Sequence, residues 1–176
     1  MVTLTLPDGK TLAFDAPPTG REVAERIGRK LAKAAVAVRV DGETLDLARP
    51  IEHDAAIAIL TPADPEGLEV MRHSASHVMA EAILRLWPGT KLVYGPTIED
   101  GFYYDVDCPS AIAEADLPRI EKEMQKIVKR NEPFVRRETD RDEAKSLCAD
   151  NPYKLENIER ADGDVILDQL QARLDR

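Results

Sequence analysis

Over the first sixty residues apolar and polar positions alternate with a period of two, broken once by a period near four. In VTLTLPDGKTLAFD, Val2, Leu4 and Leu6 alternate with polar neighbours, the chain turns at Asp8-Gly9, and Leu12 and Phe14 resume the pattern. This is the signature of a β-hairpin. In TGREVAERIGRKLAKA, Thr19 and Glu22 stand at capping-box spacing and Val23, Ile27 and Leu31 recur every four residues, which predicts a helix. A second hairpin follows, with Val36, Val38 and Val40, a turn at Asp41-Gly42, then Leu45 and Leu47; AAIAIL (55–60) reads as a buried strand. The predicted order is β-β-α-β-β-β, a small sheet with one helix laid on it.

The pattern breaks at TPADPEG (61–67), whose two prolines and glycine read as a linker. Residues 68–87 are helical by periodicity, and 89–107 are strand-like, punctuated by Gly95-Pro96 and Asp100-Gly101. DLPRIEKEMQKIVKRNEP predicts a helix with Pro118 in its first turn, Ile120, Met124 and Ile127 along one face, and Pro133 just beyond its end. FVRRET reads as a short strand. DRDEAKSLCAD, with Asp140 and Glu143 at cap spacing, reads as a short helix stopped by Asn151-Pro152. VILDQLQARLDR reads as a final helix through Ile166, Leu167, Leu170 and Leu174.

Composition narrows the function classes. Of the 176 residues 43% are hydrophobic and 32% charged, enough for a packed core and unlike a disordered chain. No apolar run approaches the ~20 residues that span a bilayer, and MVTLTLPDGK lacks the order of a signal peptide. A soluble, cytoplasmic protein with no membrane partner is expected. Cys108 and Cys148 are too few for a disulfide framework and read as two reduced thiols. The net charge of −9 argues against binding nucleic acid in bulk, because phosphate contacts need many Lys and Arg side chains. Any contact with RNA has to be local or supplied by a larger partner.

The chain has three histidines, and two of them, His73 and His77 in HSASHVMAEAILRLWPG, are one helical turn apart; the third is His53. On a helical wheel His73, His77, Ala80, Leu84 and Trp87 share one sector, while Ser74, Glu81 and Arg85 fall elsewhere, so the histidines are expected on the buried face. Two readings stand: core histidines bonded to backbone carbonyls, or a pair that holds a zinc ion or a water molecule. Structural zinc needs four ligands and catalytic zinc three. With no later histidine and two widely spaced cysteines, no complete metal site and no cofactor is expected, Cys148 with a carboxylate being the one alternative.

GPTIEDGFYYD (95–105) adds a Gly-Pro turn, an Asp-Gly turn and three adjacent aromatics. RHSASHVMAEAILRLWPGTKLVYGPTIEDGFYYDVD resembles the start of the editing domain of bacterial threonyl-tRNA synthetases, with its H-S-x-x-H and G-P-x-I-x-x-G-F-Y-Y-D stretches. The preceding unit, with LPDG near the N-terminus and the EGLEVMRHS junction, resembles the TGS domain that opens the same synthetases. The resemblance covers residues 1 to about 160. It implies an α+β chain: a small β-grasp-like TGS domain over 1–62, then a partial α+β editing-like domain over 63–176.

In that family the editing domain hydrolyses serine wrongly esterified to threonine tRNA, because serine lacks one methyl of threonine and binding alone rejects it poorly. The resemblance therefore implies His73 and His77 as catalytic residues that position or activate the attacking water. It also implies Lys154, in NPYKLE, as a catalytic lysine and Tyr104 as a substrate-binding tyrosine. The family completes its pocket with a later strand carrying a cysteine and, four residues on, a histidine; LDQLQARLDR stands where that strand is expected. The class II catalytic core and the anticodon-binding domain are likewise not in this sequence. Three readings follow: the N-terminal region of a threonyl-tRNA synthetase or a short paralogue, which cannot charge tRNA alone; a free-standing trans-editing esterase completed by dimerisation; or a non-catalytic module that binds RNA, a nucleotide or a synthetase. The implied partners are the acceptor end of threonine tRNA, a full-length synthetase, or a second copy of the chain.

Overall fold

The computed structural model describes residues 1–132, 137–161 and 166–167. The chain forms two compact units, Met1–Arg72 and His73–Arg176, and it has the mixed α+β character expected from sequence.

The first unit is a five-stranded sheet of order β2-β1-β5-β3-β4. Strands β1 (Val2–Thr5) and β2 (Thr11–Phe14) form the first hairpin. Its turn is closed by the Gly9 N–H donating to the Leu6 carbonyl at 2.9 Å, with Gly9 at φ 82°. Strands β3 (Ala37–Val40) and β4 (Glu43–Leu45) form the second, with Val40 opposite Glu43. Asp41 (φ 48°) and Gly42 (φ 94°) are its two loop residues. Positive φ at both positions matches the right-handed twist of the strands, which is why Asp-Gly serves here. Strand β5 (Ala55–Leu60) lies in the centre, parallel to β1 and antiparallel to β3.

One stretch expected as a single helix is two: α1 (Gly20–Ile27) and α2 (Arg29–Ala34), with Gly28 extended between them. The break, at a residue of low helix propensity, takes Ile27 out of the apolar series and leaves it 42% exposed. At the start of α1 the capping box is complete. The Glu22 N–H donates to Thr19 Oγ1 (3.2 Å), and the Thr19 N–H donates to Glu22 Oε2 (2.7 Å). Val23 of α1 joins Val2, Leu4, Val38, Val40, Leu47, Ile51 and Ile57 in the core of this unit.

TPADPEG is not a loose linker. Asp64 accepts from both the N–H and the hydroxyl of Thr61, at 2.8 and 2.9 Å, and helix α3 (Pro65–Leu86) begins at the next residue, three residues before the expected start. Glu66 in its first turn pairs with Arg39 of β3 at 2.6 Å. A Cβ on Gly67 would collide with the Thr61 carbonyl, 2.7 Å from its carbon, so the tight junction demands glycine.

In the second unit, α3 leads to two nested antiparallel pairs. Strand β6 (Lys91–Tyr94) pairs with β9 (Asp105–Asp107), and between them β7 (Thr97–Ile98) pairs with β8 (Gly101–Phe102). A 3-10 turn (Glu114–Asp116) precedes α4 (Leu117–Arg130), which ends at Asn131 in the left-handed conformation. Ile120 and Ile127 of α4 pack with Ala82 and Ile83 of α3. Pro133 lies outside the described residues, as do Phe134–Arg136 of the expected FVRRET strand; strand β10 is Arg137–Glu138. Helix α5 (Arg141–Leu147) is capped by Asp140, as its spacing predicts.

Two expectations are corrected. Asn151-Pro152 does not simply stop α5; it starts a further helix, α6 (Pro152–Arg160), with Asn151 as N-cap and proline at its favoured first position. Ile166–Leu167, read as the start of a terminal helix, form strand β11 antiparallel to β10. Leu170 and Leu174 lie outside the described residues. No described helix is long and apolar enough to cross a membrane.

Candidate functional site

His73 and His77 lie on α3, and their Nε2 atoms are 2.8 Å apart. The ring centroids are separated by 4.4 Å, with planes nearly perpendicular at 87°. A hydrogen bond at this distance needs one Nε2 to donate and the other to accept, the roles being set by the tautomers. The wheel's assignment of both to a buried face is corrected: His73 is exposed and His77 half-buried, whereas Glu81, placed on the solvated side, is 1% exposed. Burial on α3 varies along its axis more than around it. Met71 and His73 stand open, while Ala80, Glu81, Ala82 and Ile83 are enclosed in succession. A wheel assumes one environment for the whole helix length and cannot register this.

Two nearby residues of the helix are enclosed. Ser76 is fully buried and its hydroxyl donates to the His73 carbonyl at 2.8 Å. Glu81, one turn beyond His77, is paired through Oε1 with Arg85, and Arg85 also stands 3.8 Å from Glu123 of α4. Among the described residues no hydrogen-bond partner reaches Glu81 Oε2. A buried carboxyl left without such pairing costs stability.

Tyr104 lies in the segment between β8 and β9, with its ring flat against the backbone of Gly95. A Cβ on Gly95 would come within 2.8 Å of the ring's Cγ and closer still to Cδ2 and Cε2. The Gly-Pro at 95–96, which reads in the sequence as turn punctuation, thus also makes room for this aromatic. Burial pushes the Tyr104 hydroxyl above the usual tyrosine range.

Lys154 sits in the first turn of α6 and is half-buried, not a solvated loop lysine. Burial holds its ammonium below the usual lysine value, an effect the Cys148 thiol partly opposes, while burial raises that thiol. Asn151 fixes this turn. Its Oδ1 accepts from the Tyr153 and Lys154 N–H groups at 3.1 and 3.2 Å, and its Nδ2 donates to the Leu92 carbonyl of β6 at 2.9 Å. The Tyr153 hydroxyl donates to Asp107 Oδ2 of β9 at 3.0 Å. The hydrogen bonds of Asn151 and Ser76 are not foreseen by the sequence reading, the first because Asn-Pro reads there as a stop signal.

The described contacts join His73 directly to His77, while Tyr104 and Lys154 are each placed by their own neighbours. The third histidine, His53, lies in the first unit, 3.4 Å from Asp41 Oδ2 beside the β3–β4 turn. Among the described residues no group of three or more His, Cys, Asp or Glu could hold a metal ion.

Residues 2–61 match the TGS domain family. The chain is 51% identical over 166 residues to the threonine–tRNA ligase of Desulfatibacillum aliphaticivorans, a match covering 94% of this chain and 26% of that protein. It is 48% identical, with the same coverage, to that of Desulfosudis oleivorans. For that of Rubrobacter xylanophilus identity is 47% over 159 residues, 90% of this chain and 25% of the relative. The chain thus spans about a quarter of the length of the curated relatives it matches. It carries a TGS domain and, along nearly its whole length, is homologous to the N-terminal region of threonine–tRNA ligases.

Proposed function

We propose that residues 63–176 form an editing-type domain that hydrolyses the ester of seryl-tRNA(Thr), working in the cytoplasm on the acceptor end of threonine tRNA. The observation that carries this reading is the His73–His77 pair, closed on itself at 2.8 Å. A water molecule or ribose hydroxyl entering between the rings inherits one acceptor and one donor, so it is oriented and relieved of a proton by neutral imidazole. Attack of the water oxygen on the ester carbon forms the new C–O bond and an oxyanion; collapse breaks the bond to the ribose oxygen, which takes a proton. Lys154 supplies the cation for the oxyanion. Its burial supports that role, because a partly desolvated ammonium acts more strongly on a nearby charge than a solvated one. Tyr104, held by Gly95, shapes the pocket that receives the serine or the terminal nucleotide.

The test is deacylation of seryl-tRNA(Thr) by the 176-residue chain. His77→Ala and Lys154→Ala are each expected to cut the rate about 100-fold or more. A rate equal to uncatalysed hydrolysis, unmoved by these substitutions and by added synthetase, would leave a non-catalytic RNA- or synthetase-binding module as the reading. Activity that rises with the square of chain concentration would instead support a free-standing esterase completed by a second copy.

A further inference from the structure

Helix α6 starts on two polar ties to one ribbon. The Asn151 side chain, 7% exposed, donates from Nδ2 to the Leu92 carbonyl of β6 at 2.9 Å and accepts at Oδ1 from the Tyr153 and Lys154 N–H groups. The Tyr153 hydroxyl donates to Asp107 Oδ2 of β9 at 3.0 Å, and this bond raises the hydroxyl above the usual tyrosine range. The far ends of the two ties are one step apart on the β6–β9 ladder, where Lys91 faces Asp107 and Leu92 faces Val106. The other side of α6 is apolar: Leu155 and Ile158 pack with Ala144 and Cys148 at the end of α5. At 3.6 residues per turn Tyr153 stands roughly 140–160° round the helix from Leu155 and Ile158, and Lys154 lies between the two holds.

The same ladder leads to the seat of Tyr104. Gly95 follows Leu92 by three residues, Tyr104 precedes Asp107 by three, and the Tyr104 ring lies on Gly95. Three residues of strand cover roughly 10 Å. We propose that Tyr153 is a positioning residue for Lys154: through Asp107, and together with Asn151, it holds the lysine's turn against the ribbon that carries Gly95 and Tyr104, so that one frame sets both the cation and the pocket wall. The inference rests on the editing reading for the roles of Lys154 and Tyr104. With Asn151 as its single tie, α6 could roll on its contact with α5 and carry Lys154 along an arc; the second tie opposes that roll. A lysine on a flexible four-carbon stem gains from a fixed base, because its effect on a reacting centre depends on where the ammonium is held. Asp107 is exposed, so its bond to Tyr153 competes with water, and its value lies in direction more than in stability.

The experiment follows seryl-tRNA(Thr) deacylation by the 176-residue chain and its variants, and the titration of Lys154 by NMR of lysine-labelled protein. Tyr153→Phe and Asp107→Ala are each expected to lower kcat about tenfold and to leave KM within about twofold. The two together lose no more than either alone, and Asp107→Asn, which keeps an acceptor for the phenol, recovers most of the rate. Added to Lys154→Ala, Tyr153→Phe lowers the residual rate no further, since the tyrosine acts through the lysine. The Lys154 ammonium, held by burial below the usual lysine value, titrates closer to that value in Tyr153→Phe as the turn opens to water. Lys145→Ala, which removes an exposed tie to Glu159 between α5 and α6, leaves both readouts unchanged. If circular dichroism shows that Tyr153→Phe loses structure, Asp107→Ala against Asp107→Asn carries the comparison with the ring retained. A full Tyr153→Phe loss in the Lys154→Ala background, an equal loss from Lys145→Ala, or an unmoved kcat and Lys154 titration would each overturn the inference. The editing reading fails separately: if the parent hydrolyses no ester, yet Tyr153→Phe and Asp107→Ala shift the Lys154 titration, the hold stands and the esterase does not. If the parent hydrolyses ester and neither variant moves kcat or the titration, the hold falls and the esterase stands.

Discussion

Gly95→Ala isolates the contact that seats Tyr104. The substitution adds one methyl, and Gly95 has no positive φ to forbid a side chain, so the only objection is space. The new Cβ would stand 2.8 Å from Tyr104 Cγ, about 0.6 Å short of the 3.4 Å at which ordinary contact begins, with Cδ2 and Cε2 nearer still. The ring has to withdraw along its whole face, or the chain has to open between β6 and β7. Overpacking of this kind costs about 1–3 kcal/mol. Urea unfolding of the parent, Gly95→Ala, Tyr104→Ala and the double variant gives a double-mutant cycle. With the ring removed, the added methyl is expected to cost at most about 0.5 kcal/mol, leaving a coupling of at least about 1 kcal/mol. If Gly95→Ala costs the same with and without Tyr104, its effect lies in the backbone and the account of the Gly-Pro turn as a seat for Tyr104 is wrong. A functional readout accompanies it: under the proposed editing function, Gly95→Ala should raise KM for seryl-tRNA more than it lowers kcat, because it displaces the proposed wall of the pocket and leaves the histidines in place.

Thr19→Ala removes the acceptor for the Glu22 N–H and should cost about 1 kcal/mol in thermal or urea unfolding, with Thr19→Ser recovering most of it. Arg85→Leu strands the buried Glu81 carboxylate and should destabilise by about 3 kcal/mol or more, whereas Glu81→Leu/Arg85→Leu should recover much of that loss; a double variant no more stable than the single one would refute the pairing. Acid should weaken the first unit through Glu22 and Asp64. Bonds from the N–H and then the hydroxyl of Thr19 and of Thr61 lower these carboxyls from 4.5 and 3.8, so their contribution is complete above those values and is lost as pH falls through the lower folded ones. Melting temperature should therefore drop between about pH 5 and pH 2, and Glu22→Gln/Asp64→Asn should flatten that drop.

Local signals carried much of the fold. Asp8-Gly9 and Asp41-Gly42 mark both hairpins because the positive φ they require is rarely tolerated by other residues. Thr19/Glu22 and Asp140/Glu143 mark helix starts because the bonds involved lie within four residues. What depended on distant partners was not legible. Ile166 and Leu167 fit a helical apolar series, yet they pair with Arg137 and Glu138 some thirty residues earlier. Glu81 is a charged residue in a helix, and only its enclosure with Arg85 explains why it is buried. That His73 and His77 meet was legible from their spacing; their burial was not, since that depends on what covers each successive turn of α3.

Asn151 shows why the same dipeptide supports opposite readings. As a stop signal, Asn-Pro says only that α5 cannot continue. As a start signal, it supplies a cap followed by the one residue that does not need its N–H. The structure uses the second meaning and adds a third. The side-chain amide accepts twice from the first turn of α6 and donates once to Leu92 of β6. Aspartate could cap this helix as well but has no proton for the Leu92 carbonyl, and serine is too short to reach both strand and helix. A site only 7% exposed does not leave such a group to water. Asparagine is thus the residue that both starts the helix bearing Lys154 and ties it to the strand leading into Gly95 and Tyr104. The placement of the proposed catalytic lysine follows from a side chain that local pattern alone reads as the end of something else.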